Sequence, residues 1–362
     1  VTQHDGGNFR DVAVAAFAQT PMVRRAEDAN EVELVMPVVT EVLGSSGLRI
    51  AEVGFTCSGS TDYLLGVPFS FVGGLDAVGA WPPIEESHVE MDGAWALYEA
   101  WVRLQVGDID TALVYCFGKS SPSTSLSELL SRQLDPYMLA PLWPDALSLA
   151  ALQARAGLDA GAYSEAEMAA VAARSRQDAL SNPNAQVKGS LSAEALLSEP
   201  YLVAPLRRHD CPPVTDGSAA VILAAGEVAG RIAPRPAWIR GIAHSIETHS
   251  LGSRNLSASP STELAAIQAG VFDPSAGIDM AELHAPFTHQ ELILRSALGI
   301  GDEVAVNPSG GALAANALMV AGLVRIGEAA SRIWSGEADR AVAHATSGPC
   351  LQQNLVCVLE AD

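Results

Sequence analysis

The sequence predicts an α/β fold built from two similar halves. Three observations carry this expectation: short apolar runs alternate with helical stretches, a glycine-led segment following a long helix occurs twice, and a Ser/Pro-rich run opens a stretch of mainly helical character. Taken in order, Val12–Phe17 is short and wholly apolar and reads as a buried strand. Ala29–Leu43 reads as a helix with apolar Val32, Leu34, Val35, Val38, Val39, Val42 and Leu43, a kink candidate at Pro37 and a stop at Gly44. Ile50–Cys57 reads as a strand, Gly93–Val106 as a strongly apolar helix, and Thr111–Phe117 as another buried strand.

The chain then changes character. Ser120–Ser125 is Ser/Pro-rich, and helices and loops are expected to about Pro205. Ser164 and Glu167 form a capping-box pattern that opens a helix over Glu165–Ser181, closed by Asn182-Pro183. Strand–helix alternation resumes at Ala219–Ala224. Two segments recur about 230 residues apart and in the same order. Gly107-Asp108-Ile109-Asp110-Thr111-Ala112-Leu113-Val114 resembles Gly336-Glu337-Ala338-Asp339-Arg340-Ala341-Val342-Ala343, and Ile50-Ala51-Glu52-Val53 resembles Met280-Ala281-Glu282-Leu283. The expected organisation is therefore a first half over residues 1–119 and 206–235, an inserted and mostly helical segment over 120–205, and a second half over 236–362.

Composition narrows the function classes. Of 362 residues 49% are hydrophobic and 17% charged, which suits a large core and not a disordered chain. With 21 Lys and Arg against 42 Asp and Glu, the net charge of −21 repels phosphate backbones and anionic lipid surfaces, so neither nucleic acid nor membrane is an expected partner. Only Lys119 and Lys188 are lysines. No apolar run is long enough to span a bilayer, and the polar start Val1–Arg10 lacks a signal-peptide core. Five scattered cysteines read as reduced thiols of a cytoplasmic protein, and the eight histidines show no metal-ligand spacing.

Four short segments then point to a family. Val12–Pro21 reads as an opening strand ending in Thr-Pro; Asp216-Gly217-Ser218-Ala219-Ala220-Val221, Glu282-Leu283-His284-Ala285-Pro286-Phe287 and Asn307-Pro308-Ser309-Gly310-Gly311 follow in order. Together they resemble the thiolase superfamily, closest to sterol-carrier-protein-x and lipid-transfer-type thiolases, over nearly the whole chain. The resemblance implies two fused βαβαβαββ halves in a five-layered αβαβα arrangement, an intervening loop domain and a tight homodimer. It also implies an acyl-CoA substrate, with coenzyme A present only as part of it, and for some relatives a small zinc-ribbon/OB-fold partner.

The departures from the family pattern matter more. Where thiolases place their acyl-accepting cysteine at a helix start, this chain has Glu90-Met91-Asp92-Gly93, which puts Glu90 at the nucleophile position. The family's Gly-His-Pro is represented by Ala315-Asn316-Ala317, and the second thiolase cysteine falls near Gly348, two positions from Cys350. Asn316 donates a hydrogen bond but is no base. Thiolysis needs the missing thiol; retro-aldol cleavage of a β-hydroxyacyl-CoA needs only a base, an acid and a site for the thioester enolate. His284 stands where the family holds an oxyanion-hole donor. Steroid side-chain aldolases among the relatives suggest a bulky acyl group, with a non-catalytic subunit of a hetero-complex, or an acyltransferase using Cys350, as alternatives.

Each candidate has a structural alternative. Glu90 is an acid–base group or a helix cap, and Asp92 reads as a cap. His88 reads as a strand-end residue, and His284 as a donor or a buried, satisfied histidine. Cys350 and Cys57 are reactive or simply buried thiols, and Tyr63 is a proton donor if it faces a cavity. His244 and His249 lie where relatives line the substrate pocket, with a spacing that does not suit a metal. The glycines Gly310 and Gly311 are taken as substrate-binding. Arg207, Arg208 and His209 form a basic cluster that suits CoA phosphates or is merely solvated. Trp95, Tyr98 and Trp101 follow helical spacing and read as packing, with a hydrophobic substrate wall as the alternative.

Overall fold

A computed structural model describes residues 9–123 and 125–362; Thr124 and most of the polar start lie outside the described residues. The first half comprises β1 (Val12–Gln19), α1 (Glu31–Ser46), β2 (Phe55–Gly59), α2 (Phe71–Val78), β3 (Glu86–Val89), α3 (Gly93–Val106) and β4 (Thr111–Gly118). The following stretch carries the long helices α4 (Ala146–Asp159) and α5 (Glu165–Asp178) before β5 (Gly217–Ala225) and α6 (Gly226–Ile232). The second half comprises β6 (Ala237–Ile246), α7 (Pro260–Ala269), β7 (Met280–Leu283), α8 (Thr288–Leu298), β8 (Ala305–Val306), α9 (Gly311–Ala314), α10 (Ala321–Ser335), β9 (Arg340–Ser347) and β10 (Gln353–Glu360).

The strands form a ten-stranded sheet of order β8-β7-β9-β10-β6-β1-β5-β4-β2-β3. Counted outward from the centre, each half places its own first, fifth, fourth, second and third strands in that order. The halves are joined where β1 pairs antiparallel with β6, Ala13 with Trp238 and Val14 with Ala237. This is a thiolase-like α/β fold. Its layering follows from the strands being apolar on both faces. In β4, Ala112, Val114 and Cys116 join the central cluster with α3 and α10, whereas Leu113, Tyr115 and Phe117 pack outward with α1. On the far side α7 and α8 cover Ala281, Leu283, Val342 and Val356. Trp95 and Trp101 belong to the central cluster, with Tyr98 packed against it.

Helix boundaries obey local chemistry. Gly107 and Gly336, at φ 86° and 79°, end α3 and α10 in the left-handed conformation and lead into β4 and β9, which is the longer of the two repeats. Ser164 and Glu167 form the expected reciprocal cap of α5. Two expectations are corrected. The first helix runs through Pro37 and Gly44 to Ser46, because Asn30 and Glu33 form its capping box and Gly47, at φ 70°, is the residue that ends it. Ile50–Glu52 is a 3₁₀ turn and not strand, held by the Arg49–Glu52 ion pair at 2.9 Å and by Thr111, whose hydroxyl donates to the Glu52 carbonyl at 2.8 Å. The shorter repeat therefore does not mark equivalent elements: the counterpart of β7 is β2.

The two central helices start at the same place. Asp92 caps α3 by accepting from Ala94 N at 2.9 Å, and it also accepts from Gly322 N at 3.0 Å and Leu323 N at 3.1 Å in the first turn of α10. One buried carboxylate thus satisfies free N–H groups of both helices. We predict that Asp92→Ala lowers stability by about 3 kcal/mol, measured from urea unfolding midpoints, with Asp92→Asn intermediate because one acceptor oxygen remains.

Candidate functional site

His284 follows directly on β7. Its backbone N–H donates to the His344 carbonyl at 3.1 Å, which extends the pairing of β7 with β9 by one residue. Its Nδ1 accepts from Thr346 N at 3.4 Å, and Nε2 lies 3.2 Å from Asn316 Oδ1. An amide oxygen cannot donate, so these partners assign the neutral tautomer with the hydrogen on Nε2. Burial, followed by the neighbouring His344 and Arg325, pushes the imidazole down to about 3. At neutral pH it is a fixed N–H donor and not an acid. With its oxygen engaged by His284, Asn316 presents its amide NH₂ group as the donor of the pair.

The turn Asn307–Gly311 aligns these two residues. Asn307 Oδ1 accepts from Leu283 N at 2.6 Å, and its Nδ2 donates to Glu291 at 2.8 Å. Ser309 donates to Glu282 through N at 3.0 Å and through Oγ at 2.8 Å. Arg325 reaches from α10 to Glu282 at 2.6 Å and to Ser309 Oγ at 2.7 Å. Gly310 and Gly311, at φ 93° and 63°, pack this turn: a Cβ would lie 2.7 Å from Ala179 Cβ in the first case and 2.9 Å from Asn307 Cγ in the second. A polar cleft of about 300 Å³, lined in part by Gln19, Asn182, Asn184, Ser309 and Glu328, opens beside it. A narrow inner extension shares Gln19, Asn182, Asn184 and Ser309 and reaches Ala315 and Ala317 on either side of Asn316.

Glu90 lies in the turn between β3 and α3. It does not cap the helix, since Asp92 does. Its Oε1 accepts from Asp62 N at 2.7 Å and its Oε2 lies 3.1 Å from His88 Nε2. His88 Nδ1 lies 3.1 Å from Ser58 Oγ, and Phe71 stacks on the imidazole at 4.7 Å. Gly93 N donates to the Met319 carbonyl at 2.9 Å, so the Glu90 turn runs beside the segment that carries Asn316. The structure therefore brings His284 into contact with Asn316 and sets Glu90 at the adjoining helix mouth.

The other candidates lie apart. The Cys350 thiol donates to the Leu149 carbonyl at 3.4 Å within an apolar cluster of Leu134, Leu149 and Leu251. Burial pushes it up to about 11, which keeps it protonated and unsuited to nucleophilic attack. Burial likewise pushes Cys57 up to about 12 and raises the Tyr63 phenol. His244 is exposed and meets the Tyr98 ring edge-on at 4.7 Å; His249 lies 3.5 Å from Asp135. Arg207 is buried, paired with Glu165 at 2.6 Å and stacked over Tyr201 at 4.4 Å, so its charge ties together the segment between β4 and β5. Arg208 beside it is exposed. Sequence reasoning missed the Glu282–Ser309–Arg325 support and the bond from Ser58 to His88. The i, i+2 spacing of His88 and Glu90 was the available signal.

No family model matches the chain. It is 24% identical to an acetyl-CoA acetyltransferase of Methanothermobacter thermautotrophicus over 92% of this chain and 93% of that one. It is 26% identical to the benzoylsuccinyl-CoA thiolase subunit BbsB of Thauera aromatica over 39% of this chain and 37% of the subunit. Among solved structures, the Ltp2-ChsH2(DUF35) aldolase superposes with a TM-score of 0.79 at 21% identity, covering 97% of this chain and 98% of that one. The Bacillus anthracis acetyl-CoA acetyltransferase superposes with a TM-score of 0.77 at 15% identity, covering 98% and 99%. These similarities support the thiolase superfamily. Among the described residues no helix is long and apolar enough to cross a membrane.

His289 and His344 are held below the ordinary 6.5 as His284 is: burial pushes His289 down to about 3 and His344 to about 4. Folded-state values below the unfolded value mean stability that is present above pH 6.5 and lost as the pH falls toward 3. We predict that urea midpoints fall steadily below about pH 6, by up to about 1.4 kcal/mol per pH unit for each histidine. A flat profile from pH 6.5 to 4 contradicts this assignment.

Proposed function

We propose that the protein cleaves a carbon–carbon bond of a β-hydroxyacyl-CoA by retro-aldol chemistry through a thioester enolate. The observation that carries the reading is the buried pair of His284 and Asn316, a neutral N–H donor locked against an amide at 3.2 Å. With its oxygen taken by His284, Asn316 is left with its NH₂ aimed to donate, which suits charge developing on a thioester oxygen, whereas no described cysteine is set up as a thiolate. Glu90 supplies a carboxylate at the neighbouring helix mouth for the proton transfers. Exposed Arg208 is the cation for the phosphates of coenzyme A, which enters only as part of the substrate. A bulky, steroid-like acyl group is the finer reading.

The assembly is read as a homodimer that works with a small zinc-ribbon/OB-fold protein. The partner is supported by the names of two similar proteins, one an aldolase with two named components and the other a thiolase subunit. The test is to incubate the purified protein, alone and with co-encoded OB-fold proteins, with β-hydroxyacyl-CoA substrates. Aldehyde or ketone release is expected, with kcat lowered about 10²- to 10³-fold in His284→Ala. Absence of turnover alongside a stable hetero-complex shows a non-catalytic subunit instead. Thiolysis of a β-ketoacyl-CoA that is abolished by Cys350→Ala overturns the reading.

A further inference from the structure

Ser58, His88 and Glu90 form a hydrogen-bonded row at the edge of the sheet, with the second oxygen of Glu90 accepting from Asp62 N at 2.7 Å. The parallel pairing of β2 with β3 sets Ser58 opposite His88, and Glu90 follows two residues later on the same side. The links are 3.1 Å from Ser58 Oγ to His88 Nδ1 and 3.1 Å from His88 Nε2 to Glu90 Oε2. Exposure rises along the row, from a buried Ser58 to side-chain values of 16% at His88 and 49% at Glu90. The outward end is therefore the carboxylate, and the serine is too enclosed to be a nucleophile.

We infer that this row is the site's proton store: Glu90 exchanges a proton with the substrate, and His88 and Ser58 stabilise both of its protonation levels. The inference rests on the retro-aldol reading above and deepens it. Its physical basis is the serine hydroxyl, which serves as donor or acceptor by rotating. When His88 is neutral, Ser58 O–H donates to Nδ1 and Nε2–H donates to Glu90. When His88 is cationic, Nδ1–H donates to Ser58 Oγ and the Glu90 bond is kept. Both bonds survive the gain of a proton, so gaining one breaks nothing.

The other ionisable groups nearby are placed differently. Asp62 spends its carboxylate on Phe69 N and Ser70 N, at 2.8 Å each, and backbone donation from Ser70 holds it below the usual carboxylate range. Burial raises the Tyr63 and Tyr115 phenols. Glu86 lies on β3 itself, two residues before His88, and Phe71 covers one face of the ring.

The step balances with no outside reactant. The β-hydroxyl gives its proton to the Glu90–His88 pair, the Cα–Cβ bond breaks, and the carbonyl product forms. The bonding electrons pass into the enolate, whose oxygen accepts from the Asn316 amide NH₂ that His284 orients. The stored proton then returns to the α-carbon. The 2.9 Å bond from Gly93 N to the Met319 carbonyl joins the segments that follow Glu90 and Asn316.

Two measurements test this. In ¹⁵N NMR of the whole protein, neutral His88 is expected to carry its hydrogen on Nε2, and to become a tautomer mixture in the double variant Ser58→Ala, Glu90→Ala. An unchanged tautomer in that variant overturns the inference whether or not the protein turns over substrate. In kinetics, Ser58→Ala is expected to change the shape of the pH profile of kcat/KM and to lower kcat about tenfold, with Ser58→Thr restoring both. A profile identical to wild type overturns the inference while leaving the retro-aldol reading standing. A wild-type protein that cleaves nothing removes that reading, and the tautomer result then decides the relay by itself.

Discussion

A single buried carboxylate sets the geometry of the molecular centre. Asp92 ends the backbone of neither helix alone: it accepts from Ala94 in α3 and from Gly322 and Leu323 in α10, so both helices must begin at one point. Without its side chain, the N–H groups of Ala94, Gly322 and Leu323 would converge unpaired on a low-dielectric region. The two helix mouths that carry Glu90 and Asn316 are neighbours because this bridge makes them so. The apolar faces of α3 and α10 then fill the layer between the two halves of the sheet.

Charge placement explains why the centre stays rigid. Glu282, Ser309 and Arg325 join a strand, a turn and a helix through bonds of 2.6 to 3.0 Å, all of them buried. Against that frame the His284 ring is oriented from both nitrogens, by Thr346 on one side and Asn316 on the other. A histidine so enclosed keeps one tautomer and no charge, which suits hydrogen-bond donation and excludes it from proton shuttling at neutral pH. Proton movement has to be sought where side chains meet solvent, and Glu90 is such a place.

Much of the fold was legible in the residues because local chemistry and tertiary packing agree there. The limits of α3 coincide with the apolar run Gly93–Val106, since an aspartate precedes it and a glycine follows it. The same logic misplaced Ile50–Cys57. Its apolar residues look strand-like, but the turn at Ile50–Glu52 is fixed by Thr111, about sixty residues away. At the site, motif order found His284 and Asn316 separately, yet their pairing spans 32 residues and is visible only in the folded chain. Cys350 illustrates the converse. A Gly-Pro turn after a strand suggested reactivity, whereas the stretch between β4 and β5 supplies Leu149 and Leu134 to bury the thiol. Arg207 was legible as a cation but not as one already matched by Glu165.

The two halves repeat one strand order, and in the sheet they are joined by two residue pairs between the central strands. The molecule is thus a pair of equivalent scaffolds within one polypeptide, freed from the obligation to stay identical. On the proposed reading, one helix entrance moves hydrogen ions and the other cradles a negatively charged oxygen. Because one polypeptide carries both entrances, each can differ in side chains while Asp92 keeps the two helix starts in register.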